Sequence, residues 1–138
     1  MAGVSLLRYA VIFSGLALLL VFIDGQLAAH SALRLPTGAS IILPPIIAAL
    51  IEGRAFARRM GSAPQSGGAW AAALLMTLLV MSLTAILLLL ASLHQGIVQF
   101  MAYMPWAYLA MMAAIWLCGV FLGNRLFYAI GARSALPA

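Results

Sequence analysis

The chain has 138 residues, 67% of them hydrophobic, and carries seven basic and two acidic side chains where a soluble domain of this length would carry roughly 35 charges. With a mean hydropathy of +1.18, this composition excludes a soluble globular domain. The pI near 10.4 does not point to nucleic acid, because such a footprint needs basic residues gathered on a polar face that this chain can hardly build.

The composition predicts a single all-α integral membrane domain over 1–138, with spans of about 20 residues each. The first span is expected at 6–26, with Arg8 in its first turn and Asp24 near its end. Arg8 ahead of an apolar run, with the small residues around Ala29 and Ser31, could also be read as a secretory signal. The continuation of apolar residues beyond Asp24 favours a first span. A loop with Arg34 and Pro36 leads to the second span, 37–58, which contains Pro44 and Pro45. Two missing backbone donors predict a kink or a late start there, with Ser40 as a cap. This helix reaches bilayer length only by running on through Glu52 and Gly53 towards Arg59.

From Met60 to Asn124 there are 65 residues without an Asp, Glu, Lys or Arg, room for a helical hairpin with spans at 69–93 and 105–127. Gly61, Pro64, Ser66, Gly67 and Gly68 read as a turn-rich loop before it. Pro105 suits an opening helical turn. With the N-terminus inside, Arg8, Arg54, Arg58, Arg59, Arg125 and Arg133 fall on the cytoplasmic side and Arg34 outside. That asymmetry predicts four transmembrane helices with both termini cytoplasmic. Tyr9, Trp70, Phe127 and Tyr128 are expected at the inner interface, and Tyr103, Trp106 and Tyr108 at the outer one. The absence of lysine alongside abundant alanine hints at a GC-rich bacterial genome.

The pattern Gly53, Phe56, Ala57, Arg58, Gly61, Pro64, Trp70, preceded by Thr37 and Gly38 and followed by an apolar span, resembles an uncharacterised bacterial family of small four-span inner-membrane proteins labelled ABZJ. The likeness covers about residues 37 to 90. It implies a multi-pass protein of the bacterial inner membrane, and it supplies no functional residues.

Asp24 lies roughly 24 Å along an ideal helix from Arg8, which places it near the outer interface, solvated or paired with Arg34. Small multidrug transporters keep a glutamate in the middle of their first helix; here that region reads Phe13, Ser14, Gly15, Leu16. Glu52, among arginines at the inner end of the second span, is expected to pair with Arg8, Arg125 or its own loop arginines, an exposed pairing of small energetic weight. Arg58, with Arg54 and Arg59, is placed to meet anionic lipid heads. His30 and His94 could ligate a haem or metal, and the methionines near His94 could hold copper; interfacial histidines and apolar filler are the simpler reading of both. Cys118 reads as a small core side chain. Gly119 and Gly123 form a small-xxx-small pair on the fourth span, facing either a second copy or another helix, in the first place the one carrying Ser14 and Gly15.

No phosphate loop, metalloprotease helix, nucleophile elbow or carboxylate pair is present in the sequence, so neither catalysis nor a cofactor is expected. The function that follows is a non-catalytic accessory or assembly component. Its partners would be the bilayer and either another membrane protein or further copies of itself. The alternative is a small oligomeric transporter or permease-like protein.

Overall fold

The computed structural model describes residues 4–30, 38–93 and 102–136, which form four helices: α1 Leu6–His30, α2 Ala39–Met60, α3 Ser66–Ala91 and α4 Trp106–Ser134. Three of them, α1, α3 up to Leu90, and α4, are long and apolar enough to cross a membrane. Helix α2 is shorter and carries Glu52, Arg54, Arg58 and Arg59 in its second half.

Helix α2 starts at Ala39 and continues through both prolines. Gly38, in the left-handed region at φ 91°, precedes it, and its carbonyl accepts from the N–H groups of Ile41 and Ile42 at 3.0 and 2.9 Å. Pro44 and Pro45 come so soon after this start that they cost two backbone hydrogen bonds without ending the helix, and both side chains are buried. The Ser40 side chain lies outside the described part. At the other end Gly61, at φ 66°, donates its N–H to the Ala57 carbonyl at 2.8 Å and closes the helix.

Ser66, Gly67 and Gly68, read from sequence as loop, form the first turn of α3. Glycine is poor helix material, by about 1 kcal/mol against alanine, but Ala69, Ala72, Ala73 and Met76 pack immediately behind this turn, and their burial outweighs that local cost. Helix α4 runs past Phe127 to Ser134.

The most extensive contact is between α2 and α4; α1 packs on α2 and α3, and α3 on α4. The core gathers Tyr9 and Phe13 of α1, Ala48 and Ala49 of α2, Ala69, Ala72, Met76 and Val80 of α3, and Val120 and Tyr128 of α4. It therefore lies towards the end where α1 and α3 begin and α2 and α4 finish. Tyr9 and Tyr128, expected in an interfacial belt, are buried in this core. Cys118, expected inside, is exposed.

Within the chain, the close small-residue contact is made by glycines other than Gly119 and Gly123. A Cβ on Gly119 would meet nothing within 4 Å, and one on Gly123 would only touch the Ile46 side chain at 3.5 Å. The closest approach joins α4 to α2, rather than α4 to α1, through Gly53 and Gly131. A Cβ on Gly53 would stand 2.9 Å from the Tyr128 carbonyl carbon and closer still to its oxygen; one on Gly131 would meet the Leu50 carbonyl in the same way. The two backbones cross with these glycines as reciprocal gaps. Further along the pair, α2 and α4 leave an apolar groove of about 320 Å³, lined by Ile41, Ile42, Pro45, Met112, Ile115 and Gly119 among others.

Candidate functional site

Two polar clusters occupy the packed end. The first is built on Glu52, whose side chain is 0% exposed although its position beside several arginines suggested a solvated pair. Burial follows from its neighbour: Gly53 draws α2 against α4, and Glu52 is turned towards the start of α1. Arg8 grips the carboxylate with two donors, Nε to Oε2 at 2.6 Å and Nη2 to Oε1 at 2.9 Å. Arg59, from two turns further along α2, donates Nη2 to Oε1 at 3.2 Å. The Ser5 backbone N–H completes the set at 2.8 Å.

This arrangement is a helix cap assembled from two helices. The Ser5 hydroxyl accepts from the Arg8 N–H, at a long 3.4 Å, as an N-cap serine does with the third residue of its helix. In a capping box the return bond to the cap residue's own N–H comes from an acid in the same helix. Here Glu52 supplies it from α2, and its charge also faces the positive end of the α1 dipole. Four donors, two of them from Arg8 and one from Arg59, thus converge on one buried carboxylate.

The second cluster lies one residue further along α1. The Tyr9 hydroxyl donates to Asn124 Oδ1 at 2.9 Å, and Asn124 Nδ2 donates to Thr77 Oγ1 at 3.2 Å. All three residues are buried, so the chain of bonds ties α1, α4 and α3 together across the core. Sequence reasoning missed this network because it searched for ionisable groups and treated the last two spans as purely apolar. The available signal was Asn124, the sole asparagine of the chain, in a helix otherwise rich in apolar residues.

Arg125, offered by the sequence as a partner for Glu52, instead places its guanidinium carbon 4.4 Å from the centre of the Trp70 ring. That ring in turn packs on Phe121. Arg58 is exposed on the last turn of α2, and Arg54 donates Nε to the Ser134 hydroxyl at 3.2 Å. Asp24 is half-buried far along α1, away from Glu52, and His30 is exposed at that helix's end. His94, Arg34 and Met101 lie outside the described residues. Met76 is a buried core side chain, whereas Met81 and Met111 are exposed. Among the described residues no three of His, Cys, Asp and Glu come together as a metal site.

The site is thus a structural constellation, Ser5, Arg8, Glu52 and Arg59 beside Tyr9, Thr77 and Asn124, and it brings together one of the sequence-predicted polar residues, Glu52, with partners of which only Arg8 and Arg59 were anticipated. No family model, curated protein or solved structure matches the chain.

Proposed function

We propose that the chain is a multi-pass protein of the bacterial inner membrane, with four spans and both termini cytoplasmic, that serves as a non-catalytic accessory or assembly component. The observation that carries this reading is the state of Glu52: the one carboxylate buried among the described helices is held by four donors. A proton-coupled carrier needs an intramembrane acid that changes partner during its cycle. Glu52 is instead spent on joining α1 to α2. The long exposed apolar faces of α1, α3 and α4 suit contact with lipid or with another membrane protein. The arginine asymmetry supports the orientation.

The test is affinity purification in mild detergent together with a flux measurement on the same protein in vesicles. A defined co-purifying membrane protein, lost on depletion of either chain, together with no solute movement under an imposed proton gradient, is the expected result. Gradient-dependent uptake abolished by Asp24→Asn would replace this reading with the transporter alternative. Glu52→Gln is not a usable discriminator, because it disturbs the α1–α2 junction whatever the function.

A further inference from the structure

We propose that the cleft between the start of α3 and the end of α4 binds the phosphate group of an anionic membrane lipid, held by Arg125 and Arg133. The proposal rests on the membrane reading given above and adds a defined ligand site to it.

The cleft encloses about 140 Å³ and is lined by Ala63, Pro64, Ser66, Ala69, Ala129 and the two arginines. Arg125, Ala129 and Arg133 follow one another at four-residue spacing, so they share one face of α4. Both arginines line the cleft, Arg125 half-buried and Arg133 exposed, with Ala129 between them along the stripe. Ala69 and Ala63 keep the opposite wall equally low, and the space between two cations is left empty by the protein's own side chains.

The charge there is uncompensated from within. Among the described residues neither arginine has a carboxylate partner; both ion pairs belong to Glu52. Arg125 Nε is buried without a hydrogen-bond partner, although buried donors are almost always satisfied. The Trp70 ring covers one face of this guanidinium, which fixes its plane but cannot accept its in-plane N–H groups. Nε is closed off from the cleft, so a phosphate there is met by the outer N–H groups of the guanidinium, whose planar edge suits phosphate oxygens two at a time. The first turn of α3 adds to the same field: its leading N–H groups have no partner within the helix, Gln65 makes no side-chain cap, and Ser66 lines the cleft.

A lipid is favoured over free phosphate by what surrounds the cleft. It sits where two apolar helices meet their polar ends, and Trp70, Leu74, Leu122 and Leu126 on those helices are exposed. A phosphate seated between the arginines would leave acyl chains free to lie along such surface. Basic pockets between membrane helices bind anionic head groups by this geometry.

The experiment is native mass spectrometry of the full chain released from nanodiscs of phosphatidylglycerol mixed with phosphatidylcholine, with membrane integration checked first by alkaline extraction. The wild-type chain is expected to retain phosphatidylglycerol preferentially. Arg125→Gln with Arg133→Gln should lower that retention by about tenfold or more, and Leu18→Ala, on an exposed face of α1 away from the cleft, should leave it unchanged. Ala129→Leu, which fills the cleft while keeping both charges, should lower it as well and guards against a double variant that fails to fold. Equal retention by wild type and Ala129→Leu, or by wild type and a folded double variant, would overturn the site while leaving the membrane reading standing. Binding of inorganic phosphate alone, arginine-dependent and without lipid retention, would overturn the lipid as its source. Release of the wild-type chain by alkaline extraction would overturn the membrane reading itself and the lipid site with it.

Discussion

Replacing Gly131 by alanine should weaken the α2–α4 junction more than any other single methyl addition among the helical glycines except that at Gly53. The new Cβ would stand 2.9 Å from the Leu50 carbonyl carbon and 3.1 Å from its Cα. These are backbone atoms of a regular helix, so no rotamer change relieves the overlap. The two helices must separate by about 1 Å or more to bring the new Cβ to ordinary contact with the Leu50 carbonyl, and that separation loosens the contacts of Tyr128 and Ala132, both buried at the same crossing. Overpacking of a tight interface costs about 1–3 kcal/mol, and close backbone approach is a main source of helix association in lipid. Gly53→Ala should cost a similar amount, and the double variant less than the two together, because the first separation makes room for the second methyl. Gly119→Ala is the internal control: its Cβ meets open space, so it should be neutral or stabilising by up to about 1 kcal/mol through helix propensity. Reversible unfolding in mixed micelles, followed by steric trapping or by circular dichroism, measures all four. A Gly131→Ala variant as stable as wild type, or a Gly119→Ala variant as damaged as Gly131→Ala, would refute the crossing as described.

At the Glu52 cluster, Arg8→Gln should destabilise by about 2–4 kcal/mol, since it strands a fully buried carboxylate with Arg59 as its remaining cation. Glu52→Gln should cost less, because both arginines are partly exposed and can turn to water; the same unfolding assay reads this order, and the reverse order would contradict the burial of Glu52. Tyr9→Phe and Asn124→Ala should each cost on the order of 1 kcal/mol, the scale of interhelical hydrogen bonds in membranes, with a double-mutant cycle showing coupling; additive losses would mean that the bond contributes nothing. For topology, a reporter fused after Met60 or at the C-terminus should report the cytoplasm and one placed near Gly96 the periplasm, as the arginine asymmetry requires; an external C-terminus would remove the four-span, N-inside arrangement.

Composition alone determined the helical, membrane-compatible character of this chain, because a run of apolar side chains long enough to span a bilayer can satisfy its backbone there only as helix. The helix ends at Gly61 and Pro105 were also legible, since a turn-prone glycine and a missing N–H are local properties of those residues, whereas the start of α2 at Gly38 was not, the sequence having pointed to Ser40 as the cap. The arginines around Glu52 announced an ion pair through their nearness in sequence. What sequence could not give was which faces meet. Glycine spacing marks surfaces able to approach closely, and Gly119 with Gly123 matched that pattern as well as any, yet spacing carries no information about the partner's shape. Gly53 and Gly131 became the crossing because each faces a carbonyl of the other helix, a relation that exists only once α2 and α4 are docked. The same docking buried Glu52 and aimed it at the N–H of Ser5, 47 residues away in sequence, and set Asn124 between Tyr9 and Thr77. Polar groups at such separations share no local periodicity, so their pairing was decided by the tertiary packing, where a buried donor or acceptor must find a partner or destabilise the fold.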